Sequence, residues 1–274
     1  MSPAPLPAAA SDGWNPMTTT RTPGVRERLT GGEQLVGVFM QLRDPAAYEW
    51  VGRLGFDVLC IEAEHSSVSL ETMQLVTAMG ELTPSATIAR IVGNDPLAIS
   101  TALDTGVQGI IVPRVSSATE AAAAVAATRY PPAGQRGLGP SRATGYGASI
   151  PDYLARANDE LLLAIQIETG DAVAQLDDLL AVQGVDLFFV GPGDLACSLG
   201  LAFGGPEVRA VVADVIERTR AAGRLSGVWA ASPADAAAWR AAGVDLVILG
   251  SDLIWLARGV QTCLAELEEA GRGA

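Results

Sequence analysis

Gly109-Ile110-Ile111-Val112-Pro113 carries no polar side chain. Such a run suits a β-strand buried on both faces, as in a parallel sheet covered by helices. Similar runs recur at 35–40, 57–62, 87–91, 161–168, 186–191, 225–230 and 245–250. Alanine-rich helical patterns separate them, most plainly at 117–130 and 232–242. Ser69 ahead of Leu70-Glu71-Thr72, and Ser232 ahead of Pro233, are N-cap signals. The phrases Leu54-Gly55-Phe56-Asp57, Gln183-Gly184-Val185-Asp186 and Ala242-Gly243-Val244-Asp245 each end a helix on glycine and enter a strand at aspartate. Eight such units are expected to form an α/β fold, a (β/α)8 TIM barrel. An open doubly wound sheet is the alternative, but no Gly-x-Gly-x-x-Gly turn follows the first strand.

The chain has 274 residues, 49% of them apolar, and a formal net charge of −13. That balance speaks against nucleic acid and anionic membrane surfaces as partners. No apolar run is long enough to span a bilayer. Residues 1–23, rich in Pro, Ala, Ser and Thr without an apolar core, read as a disordered tail rather than a signal peptide. Residues 24–274 read as one barrel domain. Cys60, Cys197 and Cys263 lie far apart without zinc spacing, and are expected to be reduced, mostly buried thiols of a cytoplasmic protein. The Gly/Pro-rich stretch 131–149 is a long excursion, expected to serve function or assembly.

In such barrels the chemistry sits at the C-terminal ends of the strands. Here those ends carry Glu62, Glu64 and His65, then Arg90, then Gln166 and Glu168, then Gly191-Pro192-Gly193-Asp194. Trp229 ends the seventh strand and Ser251-Asp252 follow the eighth. Glu168 and Asp194, on neighbouring strands, suit a hard divalent ion such as Mg2+ or Mn2+. The plain alternative is two exposed carboxylates at loop starts. Arg90 suits a carboxylate or a developing oxyanion, or else a salt bridge to a nearby acid. The Gly191–Asp194 turn leads a helix N-terminus whose N–H groups can hold a carboxylate. His65 is the only histidine, so imidazole acid–base chemistry falls there or nowhere. Its alternative is a solvated turn after a buried strand.

Across 24–267 the chain resembles the metal-dependent pyruvate aldolases of the HpcH/HpaI aldolase/citrate lyase family. The matching phrases are Gly55-Phe56-Asp57, Glu64-His65, Asn94-Asp95-Pro96, the stretch Arg129-Tyr130-Pro131-Pro132-Ala133-Gly134-Gln135-Arg136-Gly137, Ile150-Pro151-Asp152-Tyr153, Gln166-Ile167-Glu168-Thr169 and Gly191-Pro192-Gly193-Asp194-Leu195. The resemblance implies a barrel of the phosphoenolpyruvate/pyruvate type. It implies cleavage of 4-hydroxy-2-oxo acids into pyruvate and an aldehyde, through an enolate stabilised by Mg2+, Mn2+ or Co2+. Citrate-synthase-like or acyl-CoA lyase chemistry is the alternative within the superfamily, and a non-catalytic oligomeric barrel the alternative outside it. Glu168 and Asp194 are then metal ligands with Gln166 beside them. His65 is the acid/base, Arg90 contacts the keto oxygen, and the backbone of Gly191, Pro192, Gly193 and Asp194 meets the pyruvate carboxylate. Glu62 and Glu64 are expected to order water around the ion. Asp104 matches the acidic partner of the histidine. It lies late in its helix, near the wrong end of its own barrel, so it is expected to reach His65 of a neighbouring subunit. Arg136 and Arg142 are expected to reach a neighbour likewise. The family's assembly is a hexamer of two trimers, with the last helix swapped between subunits. Three departures stand out: Glu62-Ala63-Glu64-His65 replaces a common Asp-Gly-Glu-His, Phe39 replaces a common Trp, and the Gly139–Gly147 loop reads differently from that of the common aldolases of aromatic-acid degradation. The chain's basic charge is written as arginine, which leaves lysine Schiff-base chemistry without a candidate.

Overall fold

The computed structural model describes residues 23–272. Its strands are β1 (Leu35–Met40), β2 (Val58–Glu62), β3 (Ala86–Arg90), β4 (Gly109–Val112), β5 (Leu162–Ile167), β6 (Leu187–Val190), β7 (Leu225–Ala230) and β8 (Leu246–Ser251). All pair in parallel and close into a barrel in chain order. Helices α1 (Val25–Thr30), α2 (Pro45–Gly52), α3 (Leu70–Gly80), α4 (Pro96–Asp104) and α5 (Ala118–Thr128) come first. A 3-10 turn over Arg142–Gly147 and α6 (Ile150–Glu160) then occupy much of the long excursion before β5. The outer layer continues with α7 (Gly170–Ala174), α8 (Leu176–Ala181), α9 (Pro192–Leu199), α10 (Pro206–Ala221), α11 (Pro233–Ala241) and α12 (Asp252–Arg272). The tail expected at 1–23 lies, except for Pro23, outside the described residues.

Two apolar layers hold the fold. Inside the barrel, Leu35, Val58, Cys60, Ile88, Ile111, Leu162, Leu187, Leu246 and Ile248 pack together, and Val25 and Leu29 of α1 belong to the same cluster. Between strands and helices a larger layer includes Leu59, Ile61, Leu163, Ile165 and Val247. The expected caps form: Ser69 Oγ accepts from the Thr72 amide at 3.1 Å and Ser232 Oγ from the Asp235 amide at 3.2 Å.

The repeated Gly-x-Asp phrase has a physical reason at both of its ends. Gly55, Gly184 and Gly243 stand at φ +104°, +92° and +86°, the left-handed region that only glycine enters freely. Asp57, Asp186 and Asp245 then each accept a backbone N–H from the preceding strand. The donors are Val36 at 3.0 Å, Leu163 at 2.8 Å and Ser226 at 2.8 Å. The carboxylates thus satisfy donors at the N-terminal end of the barrel, where a closed sheet leaves them without sheet partners.

Two expectations need correction. Cys60 is buried, but Cys197 on α9 and Cys263 on α12 are exposed, and α12 buries none of its residues beyond Asp252. Arg136 and Arg142 make their contacts inside their own chain. Arg136, with a fully buried side chain, donates to Asp104 Oδ1 at 2.8 Å and stacks its guanidinium on Tyr130 and Tyr153. Arg142 pairs with Glu81. No described helix is long and apolar enough to cross a membrane.

Candidate active site

Period-two alternation decides which side chains enter the barrel. Along β2, Val58 and Cys60 point inward, so Glu62 does too. Along β3 and β5 the same count carries Arg90 and Gln166 inward, and along β1 and β6 it carries Phe39 and Phe189. These five form the top layer of the barrel. Above them opens a cavity of about 260 Å3 at the C-terminal mouth, which His65 and the turn Gly191–Asp194 also line. The strand ends therefore converge as the sequence reading required. Glu64 and Glu168 sit beside the cavity wall. Asp104 does not join them; it ends α4, held by Arg136.

Glu62 organises one side. It is 1% exposed. Its Oε1 accepts the backbone N–H groups of Glu64 at 2.8 Å and His65 at 2.9 Å. Its Oε2 accepts Arg90 Nε at 2.6 Å. Register makes this possible, because Glu62 and Arg90 face each other across β2 and β3. Arg90 lies with its guanidinium 4.5 Å from the centre of the Phe39 ring. Burial works against its charge, but the attraction of Glu62 and Glu64 outweighs burial and holds it cationic. Glu62 thus fixes both the turn that carries His65 and the guanidinium opposite. Its protein contacts are these three N–H donors, and it also lines the cavity.

Glu64 Oε2 is 3.3 Å from Arg90 Nη1 and 3.6 Å from His65 Nε2, yet buried and without a hydrogen bond. Burial raises the Glu64 carboxyl above the usual range, against the pull of Arg90 and His65.

Glu62→Gln should destabilise the protein by about 3–5 kcal/mol, because it leaves the Arg90 charge buried beside a second donor. Urea unfolding measures this. A change below about 1 kcal/mol would show that the clamp holds nothing in place.

On the opposite side Glu168 is 1% exposed. Its Oε1 accepts the Arg114 amide at 2.7 Å, and Gln166 Nε2 donates to its Oε2. Burial pushes the Glu168 carboxyl up to about 7, against the hydrogen bond from Arg114 and with the repulsion of Glu64 and Asp194. Gln166 Oε1 is buried and has no hydrogen-bond partner. Gly191 closes over the pair: a Cβ there would fall 2.6 Å from Gln166 Nε2 and 2.9 Å from Glu168 Oε2. Asp194 follows on α9, exposed toward the mouth.

These features fit a hard divalent cation. A buried carboxylate, a second carboxylate and an orphaned amide oxygen are all oxygen donors. A cation would offset the desolvation that raises Glu168. Among the described residues no group of three His, Cys, Asp or Glu could hold an ion. Two carboxylates would leave coordination positions for water and substrate oxygens.

Sequence reasoning missed Phe203 and Ile254, which also line the mouth. Both come from outside the strand ends: Phe203 from the loop between α9 and α10, Ile254 from the first turn of α12. Asp252 is taken up structurally, accepting the amides of Gln41 at 3.0 Å and Leu42 at 2.9 Å.

The profile of the HpcH/HpaI aldolase/citrate lyase family matches residues 35–258. A 4-hydroxy-2-oxo-heptane-1,7-dioate aldolase of Salmonella dublin is 38% identical over 244 residues, covering 88% of this chain and 92% of that protein. A solved HpcH/HpaI family protein of Burkholderia cenocepacia J2315 superposes with a TM-score of 0.85 at 33% identity, covering 89% of this chain and 98% of that one. The solved citrate synthase SbnG superposes with a TM-score of 0.83 at 29% identity, covering 91% and 99%.

Proposed function

The chain belongs to the HpcH/HpaI aldolase/citrate lyase family, and we propose that it is a carbon–carbon lyase that cleaves and forms 4-hydroxy-2-oxo acids, with pyruvate or a related 2-oxo acid and an aldehyde as the partners. One observation carries this reading: Arg90, His65, Gln166 and the Gly191–Asp194 turn share one cavity, with Glu168 buried against its wall. The chain contains no lysine, so a Schiff base to the keto group is excluded.

A divalent ion held by Glu168 and Asp194 supplies Lewis acidity toward the 2-oxo acid. The residues around it do the rest. The α9 N-terminus presents the backbone N–H groups of Gly193 and Asp194 to the substrate carboxylate, that of Gly191 being donated to the Ile167 carbonyl at 3.2 Å. Arg90, kept charged and fixed by Glu62, places positive charge where the keto oxygen becomes an enolate oxygen. In cleavage His65 takes the proton of the 4-hydroxyl. The C3–C4 bond then breaks, its electron pair stays on C3 of the pyruvate fragment as an enolate, the aldehyde carbonyl forms, and the proton held by His65 passes, directly or through water, to C3 to complete the methyl group. In condensation the same proton returns. Phe39 and Phe189, packed edge to face with centroids 6.4 Å apart, make this floor apolar, which strengthens the charged contacts above it.

The test is product analysis. With Mg2+, a 4-hydroxy-2-oxo acid should yield pyruvate and an aldehyde in equal amounts. Because SbnG shares the fold, the assay also offers oxaloacetate with acetyl-CoA. Citrate in place of aldol products would move the assignment to that chemistry.

Assembly belongs to the same proposal. α12 spans 21 residues, of which Asp252 is the one buried. Leu253, Leu256, Val260, Leu264 and Leu267 are 42–70% exposed at helical spacing. This continuous apolar stripe supports packing of α12 on a second copy, toward a hexamer of two trimers. In that assembly Asp104, oriented by Arg136 and 34% exposed, is the acid offered to His65 of a neighbour. Leu256→Glu with Leu264→Glu should break the oligomer, as read by sedimentation. An unchanged mass would dismiss α12 as the contact.

A further inference from the structure

We infer that the acceptor side of this site takes an uncharged aldehyde with an apolar substituent, in contrast to a semialdehyde bearing a distal carboxylate. The inference rests on the aldolase reading and adds to it the chemical class of the second substrate. It starts from how charge is distributed around the cavity. Among the residues that line it, Arg90 is the sole guanidinium. Arg90 is held at the floor by Glu62 and Glu64, where the keto oxygen belongs. The acids near the mouth, Asp194 and Glu64, repel a second anion rather than receive one.

The opposite wall is hydrocarbon. Phe203 and Trp229 stand with ring centroids 6.2 Å apart at 39°, beside Ile254 and Pro192. Phe203 is 64% exposed. A Cβ on Gly193 would lie 3.7 Å from a Phe203 ring carbon, so the ring leans over the turn assigned to the 2-oxo acid carboxylate. A large aromatic side chain left open at the mouth of a pocket gains burial when an apolar group lies against it. A carboxylate against the same rings loses water, and the neutral donors of the lining, Gln41 and Ser251, offer it no opposite charge. The rim arginines do not correct this, since Arg43, Arg114 and Arg258 do not line the cavity. Arg258 stacks its guanidinium 4.7 Å from the Trp255 ring and donates to the Ala231 carbonyl at 3.1 Å. The named substrate of the Salmonella dublin relative is a heptane-1,7-dioate, with a second carboxylate at its far end. The acceptor inferred for this chain therefore lacks the second carboxylate of that named substrate.

The test pairs two acceptors of the same shape, 4-methylpentanal and 4-oxobutanoate, with pyruvate and the Mg2+-loaded full-length protein. Condensation is followed by mass spectrometry. The expected kcat/KM is at least tenfold higher for 4-methylpentanal. Phe203→Ala should reduce that ratio toward one, mainly by lowering the 4-methylpentanal value. Equal or faster reaction of 4-oxobutanoate overturns the inference, as does a Phe203→Ala variant that lowers both values equally. Exchange of pyruvate methyl protons with D2O, measured without aldehyde, separates the two levels. Exchange with a reversed preference overturns the acceptor inference alone. Absence of exchange and of all condensation products overturns the aldolase reading and this inference with it.

Discussion

Glu168→Gln should abolish divalent-ion-dependent lyase activity, by on the order of 10³-fold or more, and at the same time make the metal-free protein more stable at pH 8. Both effects have one cause. Glu168 is buried, and its carboxyl is pushed up to about 7 by desolvation, only partly opposed by the Arg114 amide. The ordinary value for an unfolded chain is near 4.3. The folded state without an ion therefore holds this proton more tightly than the unfolded state does. The stability that comes from the protonated form is fully present below about pH 4.3 and is lost as pH rises through about 7. Glutamine reproduces the neutral acid in shape and keeps an acceptor for the Arg114 N–H. The variant should therefore gain about 3 kcal/mol over the parent at pH 8 in EDTA, and little at pH 4. Urea denaturation at the two pH values measures it. An ion that binds only the folded parent closes most of that gap. At one hundred times its dissociation constant it adds about 2.7 kcal/mol to the parent and nothing to the variant. Equal stability at pH 8, or a Glu168→Gln variant still stabilised by Mg2+, would remove Glu168 from the ion site.

The second large effect is at His65. His65→Ala should slow aldol cleavage by roughly 10²–10⁴-fold, the usual contribution of a placed acid–base group. The side chain belongs to the only histidine in the chain and lines the cavity. Its backbone N–H is fixed by Glu62 at 2.9 Å. The ring is 53% exposed, so added imidazole can reach the gap, and partial recovery of the rate with imidazole is expected. An unchanged rate would return His65 to a solvated turn. Recovery is the informative half of the experiment, because a collapsed turn does not respond to imidazole.

Much of this was legible in the sequence, for identifiable reasons. Apolar runs bounded by Gly and Asp mark barrel strands because each strand is buried on both faces. The observed boundaries at β1 and β7 coincide with the reading, and the others differ by one residue at one or both ends. The strand-end rule then brought Glu62, His65, Arg90, Gln166 and the Gly191–Asp194 turn to one mouth. What escaped depends on register and on partners distant in the chain. Asp57, Asp186 and Asp245 could be seen to recur, but their acceptor role depends on amides of the preceding strand. The Glu62–Arg90 clamp spans 28 positions, and nothing local in either residue announces it. Arg136 carries a permanent charge in a glycine-rich stretch and reads as a group that reaches outward. Two tyrosine rings and Asp104 instead hold it inside. Phe203 lies between two glycine-containing turns, and its position over Gly193 follows from the tertiary fold.

The central claim is that Glu168 and Asp194 hold the ion under which a 2-oxo acid loses a C3 proton at this mouth. The most direct measurement is the exchange of pyruvate methyl protons in D2O, followed by NMR. It uses protein stripped with EDTA, the same protein after Mg2+ is restored, and Glu168→Gln with Mg2+. The account predicts exchange only in the restored parent protein. Undiminished exchange in the stripped protein, or in Glu168→Gln, would contradict it.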